Sequence, residues 1–311
     1  MSQLVKKIRT SSGDLQIDYN SLANAPMISN PNILINGEFL VWQRGEIFNN
    51  IIGPQYTADR WCIRSAKSRT SLVEKSSDVP NRQIMRQSIH IKETIEENTY
   101  LSYYFEQQFK GTFTLSFWYK TSAPFNTYFV DDGEPVHLGK LETLNEWAKA
   151  VFTFDATYMT SLNLIQAMSI GDTYIAGVKL EYGSIATEFI PRQPAEELAL
   201  CQRFFYRIAS ICPMFMTQQA LSSKSYSNMS IPLPVSLRSQ PTVEFSNVQL
   251  IKNGTDGTSS SVIKIECAGW SRIGVTLKMY ISESYDTGKA YFLMMSSDGY
   301  ITLDSEVYPV T

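Results

Sequence analysis

Thr112-Phe113-Thr114-Leu115-Ser116-Phe117-Trp118-Tyr119-Lys120 alternates without a break: Phe113, Leu115, Phe117 and Tyr119 share one face, opposite Thr112, Thr114, Ser116, Trp118 and Lys120. Period two is strand geometry, with one greasy and one mostly polar face. An antiparallel sheet packed on one side gives that pattern, whereas a parallel sheet gives continuous apolar strands between amphipathic helices. Runs of the same kind recur at 33–43, 57–65, 71–75, 83–92, 99–105, 147–154 and 173–182, separated by Gly, Pro, Asn and Asp clusters. Residues 33–192 are therefore expected to form a β-sandwich.

C-terminal to this, Pro194-Ala-Glu-Glu opens the one convincing helix, running through Ile208 in a connecting segment, 193–212. Proline suits a first turn, Glu196 and Glu197 complement the positive end of the helix dipole, and Arg203 and Arg207 sit near the negative end. Leu198, Cys201, Phe205 and Ile208 make one apolar stripe that must dock on something. Residues 213–311 return to strand patterns, with turn formers at 253–257 and at Ser297-Asp-Gly299, and predict a second, small antiparallel β-sandwich. N-terminal to the sandwich, residues 1–32 have too few apolar anchors to close a core. They predict an extended arm with one short hairpin at Ser12-Gly13-Asp14, fastened to another protein through Ile17, Tyr19 and Leu22. The whole is mainly β.

With 43% apolar, 12% aromatic and 18% charged residues in 311, the chain has material for large cores, which excludes disorder as its main state. Twenty-seven basic against 30 acidic side chains leave a net charge of −3 and no basic stripe, so nucleic acid is not an expected partner. The absence of a long apolar run or an N-terminal leader pattern points to synthesis in a cytoplasm without membrane insertion. Cys62, Cys201, Cys212 and Cys267 show no C-x-x-C spacing and read as free structural thiols; no cofactor is expected. His90, in Ile89-His-Ile-Lys, reads as an outward strand residue.

Two stretches near the front, Asn32-Ile-Leu-Ile-Asn-Gly-Glu-Phe-Leu-Val-Trp-Gln-Arg-Gly45 and Tyr56-Thr-Ala-Asp-Arg-Trp61, resemble the opening of a family found in tail fibres and tail-associated proteins of tailed bacteriophages. Further on, Ala176-Gly-Val-Lys-Leu-Glu-Tyr-Gly-Ser-Ile-Ala-Thr-Glu-Phe-Ile-Pro191 and Glu196-Glu-Leu-Ala-Leu-Cys-Gln-Arg-Phe-Phe-Tyr206 resemble its closing strand and following helix. Residues 16–26 are similar to short segments that attach phage tail components to a neighbouring protein. The resemblance implies a jelly-roll of the carbohydrate-binding-module type, in a homotrimeric virion fibre that meets a bacterial surface glycan or protein receptor. Residues 209–311 lie outside it.

Within the matching stretches, Asn36-Gly37 supplies a turn or bulge that lets Phe39 and Val41 point inward. Arg44, Asp59 and Arg60 are candidates to pair and pin a long loop at 46–55. Trp42 and Trp61 read as core. No nucleophile elbow, phosphate loop or zinc-binding helix pattern is present, so the chain reads as a non-enzyme. Asp131-Asp132-Gly-Glu134 is the one acidic cluster. Its carboxylates are candidates for glycan cleavage, and Asp131 and Asp132 for binding Ca²⁺, against the plain reading of a solvated turn. Sugar C–H faces stack on aromatic rings, which makes Trp118, Tyr128, Trp270 and Tyr285 the candidate carbohydrate contacts, with Trp118 foremost and Tyr291 and Tyr300 beside them. The expected function is host-surface attachment, with a purely architectural tail, collar or capsid-decorating protein as the alternative and a glycan-modifying enzyme as the third.

Overall fold

The computed structural model describes residues 6–10, 13–17, 30–94, 98–167, 169–209, 226–252, 259–282, 285–286 and 288–308. At the front, β1 (Lys6–Thr10) and β2 (Gly13–Ile17) pair antiparallel with Thr10 opposite Gly13. The hairpin is where it was expected, but Gly13 and Asp14 already belong to β2. Tyr19 and Leu22 lie outside the described residues.

An eight-stranded antiparallel sheet follows, formed by β3 (Ile47–Tyr56), β4 (Trp61–Ser76), β5 (Ser88–Glu93), β6 (Thr99–Thr121), β7 (Phe125–Asp131), β8 (Glu134–Leu141), β9 (Leu144–Ala167) and β10 (Gly171–Tyr182). Their order is β3-β4-β5-β10-β6-β9-β7-β8, and β4 also pairs with β6. That extra pairing makes the sheet a sandwich. The first half of β4 pairs with the front of β6 (Trp61 opposite Tyr103), and its last five residues pair with β5 (Val73 opposite Ile91). The long strands β4, β6 and β9 therefore pass from one layer to the other, with register breaks between Tyr104 and Phe109 on β6 and between Ala156 and Met159 on β9. The result is a jelly-roll-like β-sandwich. Runs 99–105 and 112–121, expected as two strands, are one bent strand.

Phe113, Leu115, Phe117 and Tyr119 all point into the core, as the alternation required. The opposite face is not solvated: Thr114 and Ser116 are buried too. Residues 183–192 lie across it, with Thr114 donating to Gly183 O (2.7 Å) and the buried Lys179 ammonium donating to Thr187 Oγ1 (2.5 Å) and Glu188 O (3.0 Å). Glu181 completes the clasp by accepting from Thr187 N (2.8 Å).

Residues 33–43, expected as a strand, are irregular. Several of their N–H groups find side chains instead of a ladder: Leu34 N donates to Asn32 Oδ1 (3.0 Å), Ile35 N to Tyr103 OH (3.1 Å), Asn36 N to Glu197 Oε1 (2.6 Å) and Val41 N to Asn36 Oδ1 (3.0 Å). Asn36 adopts φ +58°, which asparagine tolerates, and its amide also donates to Val41 O and Asp59 O at 2.9 Å each. The expected turn at Asn36-Gly37 is present and Phe39 and Val41 are buried. A Cβ on Gly37 would stand 2.2 Å from Val178 O, so glycine is required by a backbone approach. Gly37→Ala should lose about 2 kcal/mol, read as a lowered urea midpoint; an unchanged midpoint would show that the contact is not tight.

The helix α1 (Pro194–Gln202) is shorter than expected. Phe205 and Ile208, placed on its stripe by sequence, lie in β11 (Phe205–Ala209), and Leu198 is exposed. The aromatic and β-branched run Phe204 to Ile208 gains more from pairing with a sheet than from another helical turn. That sheet is six-stranded and antiparallel. It adds β12 (Tyr226–Pro232), β13 (Thr242–Lys252), β14 (Ser259–Trp270), β15 (Gly274–Ile281) and β16 (Tyr291–Asp304), in the order β11-β16-β13-β14-β15-β12. Its core is separate from the first and includes Leu250, Leu277, Met279, Tyr285 and Ile301. Ser297-Asp-Gly299, expected as a hairpin turn, is a bulge within β16, which pairs with β13 on both sides of it. The turn expected at 253–257 lies outside the described residues, as does Cys212; Cys62, Cys201 and Cys267 are free thiols.

Candidate functional site

Arg44 and Asp59 do pair, but not around a loop, and Arg60 pairs with neither of them. Residues 46–55 are almost entirely the strand β3, and the partners come from the far end of the chain. Arg44 contacts Asp59 (3.7 Å), Asp304 (3.3 Å) and Glu306 (3.5 Å), while Arg60 pairs with Glu306 and donates to Tyr104 O (2.7 Å). Both guanidiniums lie over rings of the connecting segment, Arg44 3.5 Å from the Phe205 centroid and Arg60 3.7 Å from that of Phe204. Arg60 adopts φ +71° in the tight turn between β3 and β4, a conformation its many partners hold in place. Burial pushes the Asp59 carboxyl up to about 6, against the opposing pull of Arg44 and of the Gln43 hydrogen bonds. These groups form a buried ionic joint between the sandwich and the six-stranded sheet. Gln43 Nε2 to Phe205 O (2.7 Å), Arg238 Nε to Ser305 O (2.9 Å) and Ser305 N to Phe204 O (2.8 Å) close its rim.

Asp132 (φ +50°) and Gly133 (φ +84°) form the turn between β7 and β8. The Asp131 carboxylate accepts from Thr157 N (3.0 Å) and Tyr158 N (2.6 Å), fixing the bend of β9. Among the described residues no three His, Cys, Asp or Glu side chains are grouped as metal ligands.

The four aromatic candidates are not brought together. Trp118 is half-buried on Val79, Met85, Ala176 and Phe189, which cover the face the alternation left open. Tyr128 stands beside His137 with ring centroids 4.9 Å apart. Tyr285 is 0% exposed, donates to Met279 O (2.8 Å) and packs on Tyr291, so it offers no ring face to a ligand. Trp270 is 40% exposed and lines a hollow of about 530 Å³. The tight link between β14 and β15 presents it there, closed by Ser271 N donating to Gly274 O (2.9 Å). The hydroxyls of Ser230, Ser271 and Thr276 line the same hollow, beside Ile273, 81% exposed. An aromatic face among hydroxyls suits a sugar ring.

Sequence reasoning missed a second aromatic group. Glu74, His90, Tyr174 and Lys120 stand side by side across β4, β5, β10 and β6, and the Lys120 ammonium lies 5.7 Å from the Trp147 centroid. His90 faces outward, as its alternation said, but it is buried between Glu74 (2.9 Å) and Asp172 (2.8 Å). The Tyr174 faces are taken by the parallel His90 ring at 4.2 Å and by Lys120 at 4.4 Å. Asp78 ties Lys120 to Trp147, accepting from the indole N–H at 3.1 Å. The group stacks on itself. Outward positions of separate alternating strands were the available signal; only the strand order reveals that they align.

No protein-family model matches the chain, and no curated protein matches it. Among solved structures it is similar to the enzymatically active domain of tailspike protein 4 of bacteriophage CBA120, at 15% identity over 48% of this chain, with a TM-score of 0.37. The chain spans 21% of that domain's length. It is also similar to a family 29 carbohydrate-binding module from Piromyces equi, at 11% identity over 44% of this chain and 92% of that one, with a TM-score of 0.32. A family 29 module variant complexed with cellulohexaose matches at 8% identity over 44% of this chain and 91% of that one, with a TM-score of 0.32.

Proposed function

We propose that this protein is a non-enzymatic component of a tailed-phage virion, anchored to a neighbouring virion protein through residues 1–32, assembled as a homotrimer, and attaching to a bacterial surface glycan through the Trp270 hollow. The observation that carries the reading is the exposed indole at a tight β-hairpin, beside a hollow lined by the paired hydroxyls of Ser230 and Thr276 and by Ser271. The ionic joint supports it, since buried ion pairs tie the sheet that carries the hollow to the sandwich. Weak contacts multiplied over several copies suffice for adhesion.

A glycan array of bacterial surface polysaccharides, probed with the full chain and with Trp270→Ala, tests this. One aromatic stack is worth about 1.5 kcal/mol, so roughly tenfold weaker binding per site is expected. A properly folded Trp270→Ala protein that binds as well as the parent would remove the hollow from consideration. A full chain that binds no glycan would favour the second reading, a purely architectural virion protein. A specific observation favours that reading: the residues that carry the phage-tail resemblance, including Asn36, Arg60 and Glu197, are spent on internal hydrogen bonds and the joint. The acid cluster gives an enzyme little support, because Asp131 is held by two backbone N–H groups.

A further inference from the structure

A cleft of about 410 Å³ opens where β3 of the sandwich meets β11, β13 and β16 of the six-stranded sheet. Its lining is polar, and its charges balance: Arg44 and Arg207 face Glu244 and Asp304. Asp304 is fixed in orientation. Its Oδ2 accepts from Arg44 (3.3 Å) and the Tyr308 hydroxyl (2.8 Å), and its Oδ1 from Glu306 N (2.9 Å). A carboxylate has about four acceptor positions, so one remains for a ligand. Arg207 lies over the Tyr300 ring at 4.5 Å, which holds its guanidinium beside the cleft, and Gln55 adds an amide able to donate and accept. Tyr308, 50% exposed, stands at the mouth edge-on to Tyr56.

This set selects by charge. A phosphate or carboxylate entering the cleft meets Asp304 and Glu244, and a cation meets the two guanidiniums. A neutral ligand dense in hydroxyls satisfies both halves, donating to the carboxylates while accepting from Arg207 and Gln55, with an apolar C–H face for Tyr308. We propose that this cleft is a second saccharide site, taking a neutral sugar residue and existing only while the two β units are docked. No single unit contains it: Gln55 and Arg44 come from one side of the joint, and Arg207, Glu244 and Asp304 from the other. The proposal rests on the glycan-binding reading for its ligand class and goes beyond it in place and composition.

Saturation-transfer NMR on the full chain, with the methyl glycosides of glucose, galactose, mannose, rhamnose and N-acetylglucosamine and with inorganic phosphate as the anionic control, tests it. At least one neutral glycoside should bind, and Tyr308→Ala and Arg207→Ala should each weaken it about tenfold or more, while Trp270→Ala leaves that part of the signal intact and phosphate does not compete. Both cleft residues are surface-accessible, and an unchanged melting temperature shows that each variant is folded. Binding that survives both substitutions, binding of phosphate in the same place, or no glycoside bound at all would overturn the cleft. Array binding that depends on Trp270 but not on Tyr308 overturns the cleft alone. Dependence on Tyr308 but not on Trp270 overturns the hollow alone.

Discussion

Glu306→Ala should destabilise the protein by about 3–5 kcal/mol, the penalty for leaving a buried charge without its partner. The Glu306 side chain is 0% exposed and sits between two arginines, pairing with Arg60 and contacting Arg44 at 3.5 Å. Removing it strands the Arg60 guanidinium, which is 1% exposed, with Tyr104 O and the rings of Tyr103 and Phe204 as its remaining contacts. Replacing both members at once, Arg60→Met with Glu306→Leu, should cost far less than either single change, because apolar side chains of similar volume need no countercharge. Urea denaturation of the four proteins in the cycle supplies the coupling energy. Single variants each within about 1 kcal/mol of the parent would show that the joint is hydrated and weak. A large coupling energy would mean that Glu306, just beyond β16, holds the two units together.

The joint also marks where sequence reading stops. Arg44, Asp59 and Arg60 are legible as charged residues able to pair, and Arg44 does pair with Asp59. Their decisive partner lies 246 residues from Arg60, and nothing local to either segment announces it. Read locally, the charges point to a loop at 46–55, and that stretch is β3. That strand was hard to see for a reason: it is an edge strand containing Asn50 at φ +55°, Gly53 at φ +73° and Pro54. Those residues blunt an edge against further pairing and, in doing so, erase the strand signal. The other edge strand, β8, holds Pro135 and Gly139 and was missed in the same way.

Alternation was reliable about inward residues and unreliable about outward ones. Phe113, Leu115, Phe117 and Tyr119 were assigned correctly because a core accepts them and water does not. For the polar face that holds Trp118 and Thr114 the pattern leaves exposure and burial both open, because it is blind to a second layer of chain, and residues 183–192 with Val79 and Met85 supply that layer. Depth is likewise invisible in the comparison of Trp270 with Tyr285: both are aromatic residues near a turn, yet one lines a hollow and the other is sealed in the core. Residues 33–43 failed for another reason. They have strand-like apolar spacing, but Asn32, Asn36 and Glu197 claim the N–H groups a ladder would use.

Glu93→Gln should stabilise the protein by about 3 kcal/mol at pH 8 and by almost nothing at pH 4, a pH dependence opposite to that of a salt-bridged carboxylate. Glu93 closes β5 opposite Gly171, is 3% exposed, and among the described residues no ion pair holds it. Burial pushes its carboxyl from 4.5 up to about 7, with Thr99 pulling weakly the other way. Below pH 4.5 the group is protonated folded and unfolded, and its stability contribution is fully present. Between 4.5 and about 7 the unfolded chain gives up the proton while the folded chain keeps it, so stability falls by about 1.4 kcal/mol per pH unit. Above 7 both states are ionised and the loss is complete. Glutamine keeps the shape without the proton, so the difference between variant and parent isolates Glu93 from Asp59, whose raised value acts in the same direction over a lower window. Urea midpoints across pH 4 to 8 measure that difference. A gap between the two proteins that stays constant across the range would show that Glu93 ionises as freely folded as unfolded, and that this end of the sandwich admits water.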